Sequence, residues 1–185
     1  MKSLLRFAAV ALAGLAVLTV NVLAYDNNLM LCLVNKERVQ RGLRALGHDA
    51  ALERAAQVHC DDQARMQRMS HDGSDGSSPA QRVTSAGYKW ASVAENVAYG
   101  YADENVCMEK WMLSPGHRAN ILKNDVTHFG SAVAYGSNTP YYTQVFASDG
   151  QQHNFPVCAG APSPSPVANV IERQYKIVNG KKVYV

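Results

Sequence analysis

Residues 111 to 122 read Trp-Met-Leu-Ser-Pro-Gly-His-Arg-Ala-Asn-Ile-Leu, and this stretch contains both a helix end and a helix start. Asp103 is positioned to cap a helix that runs into the stretch. Pro115 cannot continue that helix, because proline lacks the backbone N–H that an interior turn requires. The pair Ser114-Pro115 is typical of the first turn of a new helix. The sequence therefore predicts two abutting helices, with His117 just after their junction.

The elements on either side of this stretch indicate an α+β protein. Apolar spacing and capping residues predict three helices upstream, and β-branched and aromatic runs predict the strands. Helices are expected at 28–41, 49–66 and 78–87, and strands at 93–98, 129–135 and 141–147. A Gly-, Ser- and Asp-rich loop is expected at 70–78, and a turn at 136–140. The order of helices, strand, helix and hairpin does not fit a repeated βαβ array.

The N-terminus has the pattern of a secretory signal peptide over residues 1–24. Lys2 and Arg6 precede an apolar run of about 14 residues, which is shorter than the roughly 20 that a membrane-spanning helix needs. Ala24 suits signal peptidase. We therefore expect a secreted, extracellular protein that is not an integral membrane protein. A net charge of +3, without a basic run, also argues against a nucleic-acid partner.

The C-terminal part differs in composition from the rest of the chain. The predicted domain covers residues 25–160, and a Pro-rich linker is expected at 161–166. The tail, 167–185, contains Asn179-Gly180 between two β-prone runs, which predicts a hairpin.

Four cysteines, Cys32, Cys60, Cys107 and Cys158, lie after the predicted cleavage point. An even number of cysteines in an oxidising compartment favours two disulfides. The spacing leaves all three connectivities open.

Three chemistry-bearing side chains are candidates for one site. His71 lies in the Gly-rich loop, Glu95 near the start of a strand, and His117 at the helix junction. Two imidazoles and a carboxylate can bind zinc or another divalent ion with a water in an open position. The alternative is that the histidines are ordinary loop and turn residues and that Glu95 pairs with Arg118. His59, on the inward side of the second helix, is interpreted as a core histidine.

Five segments occur in an order that resembles the CAP superfamily, also called SCP domains. This superfamily comprises cysteine-rich secretory, antigen 5 and pathogenesis-related 1 proteins. The resemblance runs from about Leu29 to Ala147, and the helix-junction segment is similar to the compact bacterial and lower-eukaryotic branch. The five segments are 33–38, 70–71, 94–98, 111–122 and 141–146.

This resemblance implies a three-layer α-β-α sandwich with a small antiparallel sheet and a central cavity. The family cavity usually carries two His and two Glu, and His71 and Glu95 match two of these positions. Ser114 and Tyr141 stand at the other two, so the resemblance implies a reduced metal set of His71, Glu95 and His117. The ion expected is zinc or magnesium. Asn96, next to Glu95, is a further expected cavity residue.

The resemblance also implies a function. The leading hypothesis is a secreted protein that binds a small apolar ligand, a sterol or a fatty acid, in defence, virulence or another extracellular interaction. The alternatives are a divalent-metal hydrolase of peptide bonds and a protein whose surface engages a host or cell-wall partner while its cavity is vestigial. Binding is favoured over catalysis, and no catalytic residue is assigned. The implied disulfides are Cys32–Cys107 and Cys60–Cys158.

Overall fold

A computed structural model describes residues 25–158, 175–178 and 181–184. The predicted signal peptide at 1–24 and the predicted linker at 161–166 lie outside these residues. The elements in chain order are α1 (Asn27–Val39), β1 (Gly47–His48), α2 (Ala50–Met66), α3 (Pro79–Ser85), β2 (Ser92–Tyr99), α4 (Glu104–Leu113), α5 (Pro115–Ile121), β3 (His128–Gly136), β4 (Thr139–Ser148), β5 (Tyr175–Val178) and β6 (Lys181–Tyr184).

The predicted hairpin forms the centre of a four-stranded sheet with the order β1-β3-β4-β2. Strands β3, β4 and β2 are antiparallel, and the short β1, which the sequence did not predict, pairs with β3 in parallel. The turn is tighter than expected. Only Ser137 and Asn138 separate β3 from β4, and both have positive φ, 47° and 68°. Positive φ at both central residues is typical of a two-residue type I′ hairpin turn.

Helices cover both faces of the sheet, which confirms the α-β-α sandwich. Residues of β4 alternate between two hydrophobic clusters because successive strand side chains point to opposite faces. Tyr142 and Phe146 pack with α1 and α4, whereas Val145 and Ala147 pack with α2. The α2 layer lies very close to β3, since a Cβ at Gly130 would overlap the α2 backbone at Leu52 and Glu53.

The capping residues predicted from the sequence begin the helices in the structure. The Asp49 carboxylate accepts hydrogen bonds from the first turn of α2, and Ser78 forms a capping box with Gln81 in α3. The Asp103 carboxylate accepts from Val106 N at the start of α4. Ser114, with extended φ and ψ, ends α4 and precedes Pro115, the first residue of α5. The two abutting helices are therefore confirmed.

The disulfide pairing implied by the resemblance is wrong. Cys32 is bonded to Cys158, with a Cα–Cα distance of 4.5 Å, and Cys60 and Cys107 are free and buried. These two thiols belong to the clusters on opposite faces of the sheet, so neither can reach the other. Although α1 and α4 share a layer, Cys107 points into the core, and the chain after β4 brings Cys158 to Cys32.

The two free thiols, Cys60 and Cys107, are unreactive at neutral pH. The Cys60 Sγ donates to the carbonyl oxygen of Ala132 at 3.2 Å, and burial raises its pKa to about 12. Burial also raises the pKa of Cys107. Both groups are therefore protonated and inert at neutral pH, because the thiolate is the reactive form.

Near the C-terminus, β5 and β6 pair in antiparallel fashion, with Val178 opposite Lys181. Within the residues described, the helices are all too short or too polar to cross a bilayer.

Candidate functional site

The loop that carries His71 and the helix that carries His117 both contact β2, the strand at one edge of the sheet. Two neighbouring β2 residues, Glu95 and Asn96, point to opposite faces because strand side chains alternate. Glu95 is paired in register with Val145, on the α2 side, and Asn96 with Gln144, on the α1 and α4 side. The loop at 70–78 approaches this edge from one side and α5 from the other.

Glu95 is the centre of a buried charge cluster. Its side chain is 2% exposed, and its Oε2 accepts a hydrogen bond from Arg82 Nη2 at 2.8 Å. Its Oε1 lies 3.0 Å from His71 Nδ1. The alternative pairing with Arg118 is not observed, since that guanidinium donates to the carbonyl oxygen of Met112. Both carboxylate oxygens of Glu95 are thus engaged by side chains of this chain.

Arg82, from α3, is a site residue that the sequence analysis missed. It is 6% exposed. Besides binding Glu95, it donates to the carbonyl oxygens of Ser77 at 2.7 Å and His71 at 2.9 Å. These bonds attach both ends of the 70–78 loop to β2. An arginine on the inner side of the predicted helix at 78–87 was the available signal, since a buried arginine requires acceptors.

His59 is a buried residue beneath this cluster, in agreement with its interpretation as a core histidine. It is 1% exposed, and its Nε2 lies 2.7 Å from the carbonyl oxygen of Ser70. The same nitrogen is 3.8 Å from Glu95 Oε1. Its Nδ1 is buried without a hydrogen-bond partner in the structure. Burial lowers the pKa of His59, so the ring is neutral at neutral pH.

His71 is the accessible member of the cluster. Its side chain is 55% exposed, and the hydrogen bond to Glu95 raises its pKa. In its neutral form, a ring that donates from Nδ1 to Glu95 keeps a lone pair on Nε2. The carboxylate therefore fixes both the orientation and the tautomer of this imidazole.

His117 lies on the opposite side of the β2 edge. Its ring meets Trp111 edge to face, with centroids 6.5 Å apart. Burial lowers its pKa, and the charge of His71 lowers it further. His117 is therefore neutral at neutral pH.

An amide network positions α5 against β2. Asn96 is fully buried, and its Nδ2 donates to Gln144 Oε1 at 3.1 Å and to the carbonyl oxygen of His117 at 3.2 Å. Asn120 Nδ2 donates to Asn96 Oδ1 at 2.9 Å and to the carbonyl oxygen of Glu95 at 3.0 Å. Asn96 therefore acts as a positioning residue. Asn120 and Gln144 were not singled out from the sequence.

The other two predicted cavity residues are less directly connected. Tyr141 is 4% exposed and stacks on Tyr99, its register partner, with ring centroids 5.8 Å apart. Ser114 lies at the helix junction, where its side chain makes no capping hydrogen bond. Neither side chain hydrogen-bonds to the cluster around Glu95 in residues 25–158.

The metal set of His71, Glu95 and His117 stays a prediction. Between residues 25 and 158, their ligand atoms do not form a group of three that all lie within 4.8 Å of one another. Glu95 is also occupied by Arg82 and His71. The arrangement fits a carboxylate that orients a histidine ligand, which is common next to metal sites, better than a carboxylate that binds the ion directly.

Residues 31–146 match the sequence model of CAP, the cysteine-rich secretory protein family. The match covers most of the described domain and includes the sheet edge with Glu95, the helix junction and His117. The chain therefore belongs to the CAP family, which confirms the resemblance seen in its sequence.

Known proteins similar to this chain come from several bacteria. The uncharacterized protein YkwD of Bacillus subtilis is 32% identical over 126 residues, which is 68% of this chain and 48% of that protein. An extracellular SCP-domain protein from Bacillus anthracis has a TM-score of 0.61 at 25% identity, over 66% of this chain and 40% of that one. An outer surface protein from Borrelia burgdorferi also has a TM-score of 0.61, at 20% identity, over 65% of this chain and 90% of that one. The chain thus spans about half the length of YkwD.

Proposed function

We propose that this CAP protein is secreted and binds an anionic amphiphile of the fatty-acid type in a groove between α1 and α4. Support for secretion comes from the signal-like residues 1–24 and from the Cys32–Cys158 disulfide, a bond typical of oxidising compartments. The protein from Bacillus anthracis is also described as extracellular. N-terminal sequencing of the exported protein tests this part, with Tyr25 expected as the first residue.

The observation that carries the ligand proposal is the composition of this groove. Its volume is about 400 Å³, within the range of small-molecule sites. The apolar part of its lining consists of Leu33, Met108, Met112 and Leu113. Leu113 leaves 66% of its surface exposed. Two flexible methionine side chains suit a surface that adapts to an acyl chain.

The charged lining of the groove consists of two glutamates and two arginines, Glu37, Glu109, Arg41 and Arg118. Glu109 lies 3.9 Å from Lys110 Nζ. Arg41 is already paired with Glu37 at 2.6 Å. Arg118 uses Nη1 to bind the carbonyl oxygen of Met112, and within residues 25–158 the other N–H groups of its guanidinium remain available to donate. Arginine binds carboxylates with paired, charge-assisted hydrogen bonds. The geometry thus suits an acyl chain on the apolar floor and a carboxylate at Arg118.

Calorimetric titration of the oxidised protein with palmitate tests the ligand proposal. Leu113→Gln is expected to weaken binding about tenfold, since covering the remainder of a leucine side chain contributes on the order of 1.5 kcal/mol. Arg118→Gln is expected to weaken palmitate binding and to leave binding of the corresponding alcohol unchanged.

Matched controls lie on α2, on the other face of the sheet. Val58 is similarly exposed, at 61%, and Arg54 also donates to a main-chain carbonyl, that of Ala86. Val58→Gln and Arg54→Gln should leave palmitate binding unchanged. Absence of saturable palmitate binding, or saturable cholesterol binding that Arg118→Gln does not affect, would contradict the proposal.

A second candidate function is binding of a divalent ion by His71 and His117. It is favoured by the Nδ1 contact between His71 and Glu95, which leaves Nε2 available, and by the lowered pKa of His117. A bound zinc ion would act as a Lewis acid. Glu95 holds the His71 ring and is itself held by Arg82, so this site supports ion binding better than hydrolysis.

Zinc and magnesium titrations of the chelator-treated protein test this candidate. His71→Ala should remove one bound equivalent, whereas His48→Ala, which alters an exposed histidine paired with Glu53, should not. Unchanged stoichiometry in His71→Ala and His117→Ala would refute it. Binding of a host or cell-wall partner stays a prediction.

A further inference from the structure

A second group of metal-ligating side chains lies at the end of the sheet where β3 begins and β4 ends. His128 is the first residue of β3, Asp149 follows the last residue of β4, and His153 comes four residues later. One ligand atom from each of these residues lies within 4.8 Å of the others. None of the three stood out in the sequence, because 24 residues that include a hairpin lie between His128 and His153.

We propose that His128, Asp149 and His153 form a zinc-binding site, separate from the β2 edge, that fastens the segment 149–158 to the sheet. Two imidazole nitrogens and one carboxylate oxygen are a ligand set typical of zinc sites that keep a position open for water. The side chains of Asp149 and His153 are each 30% exposed, so an ion and its water can enter from solvent.

Two hydroxyl groups lie beside one ring nitrogen of His128. Its Nδ1 lies 2.8 Å from the Tyr88 hydroxyl and 3.0 Å from Thr127 Oγ1. When Nδ1–H donates to one of these oxygens, Nε2 carries the lone pair. Tyr88 is 8% exposed, so its hydroxyl is a fixed partner. Outer hydrogen bonds of this kind orient histidine ligands in metal sites.

The other two ligands are hydrogen-bonded to each other. His153 Nε2 lies 2.9 Å from Asp149 Oδ2 and 3.1 Å from Oδ1. A divalent cation would take the place of this hydrogen bond and bind both groups, since histidine and carboxylate ligands coordinate in their deprotonated forms. The His153 ring is also next to the His128 ring, with centroids 4.6 Å apart.

The segment that carries Asp149 and His153 contains no helix or strand over its described residues, 149–158, yet two anchors hold it. Phe155 stacks on the His153 ring at 5.4 Å and rests on Gly47, where an added Cβ would overlap the phenyl ring. Cys158 ends the segment in its disulfide to Cys32. These anchors preorganise the ligands, which lowers the cost of binding an ion.

Calorimetric titration of the oxidised, chelator-treated protein with zinc chloride tests the proposal. Asp149→Asn and His153→Gln should each lower the affinity for one zinc ion by about 100-fold or more, because each removes a ligand. Tyr88→Phe should weaken it by roughly tenfold, through loss of an orienting bond. His48→Gln is the matched control, since this histidine lies on β1 and pairs with Glu53, away from the three ligands.

Two further measurements make the result decisive. In the unmutated protein, zinc should shift the imidazole NMR signals of His128 and His153 and raise the melting temperature, and Asp149→Asn should reduce that rise. The combined His71→Ala and His117→Ala variant should retain this equivalent. The proposal is overturned if the folded protein binds no zinc, if those NMR signals do not move, or if His71→Ala with His117→Ala removes all zinc binding.

Discussion

Replacing Glu95 by Gln is the sharpest test of the charge cluster at the sheet edge. Glu95 and Arg82 are 2% and 6% exposed, and their ion pair measures 2.8 Å. Removing one partner of a buried pair costs about 3–5 kcal/mol, because the remaining charge stays buried without compensation. Arg82 keeps two main-chain acceptors. We therefore expect Glu95→Gln to lower the unfolding free energy by the lower end of this range, about 3 kcal/mol.

Urea denaturation followed by circular dichroism measures this loss. With a typical slope of about 1–3 kcal/mol/M, the midpoint should fall by about 1–3 M. The control is Glu37→Gln, the same change in an exposed i,i+4 pair with Arg41. That pair should contribute only about 0.3–0.5 kcal/mol. Equal midpoint shifts in the two variants would refute the view that Glu95 holds this edge together.

The pH dependence of the unfolding free energy distinguishes the contribution of His71 from that of Arg82, the two partners of Glu95. The hydrogen bond to Glu95 raises the pKa of His71, so the contribution of this histidine is fully present below the unfolded pKa of about 6.5 and is lost as pH rises through the folded value. The difference in unfolding free energy between wild type and Glu95→Gln should therefore narrow with rising pH and level off at the Arg82 contribution. An NMR titration should show the His71 pKa falling in Glu95→Gln.

Four other substitutions test the fold by urea or thermal denaturation. Gly130→Ala should lower the unfolding free energy by about 1–3 kcal/mol, because its Cβ would overlap the α2 backbone. Gly116→Ala, in open space on α5, should instead raise it by about 0.5–1 kcal/mol. Cys32→Ser should lower it by about 2–4 kcal/mol, since it opens a disulfide that links residues 126 apart. Burial lowers the pKa of His59, so the contribution of this histidine is lost as pH falls below about 6.5, and wild type should lose more stability over that range than His59→Gln does.

Local sequence signals predicted the elements that surround the site. The carboxylates of Asp49 and Asp103 and the capping box of Ser78 begin helices where expected. Pro115 separates α4 from α5, as expected for a residue without a backbone donor. These signals act within one or two turns of the chain, so a single sequence is enough to recognise them.

The short strand β1 was missed for a physical reason. Gly47 and His48 have no β-strand pattern of their own and become a strand only because they pair with His128 and Phe129 of β3. The expected disulfide pairing was wrong for a similar reason. Which thiols meet depends on the face that Cys107 presents to the core and on the path of the chain after β4, and neither is encoded near the cysteines.

The sequence by itself determined the helices, the central hairpin, the α+β class and the family to which the chain belongs, because these follow from periodicity, capping and ordered motifs. Only the tertiary structure decided that Arg82 holds Glu95, that Cys158 meets Cys32 and that His128 approaches His153. Each of these contacts joins side chains from different elements, and their meeting is fixed by how the helices and the segment after β4 pack around the sheet.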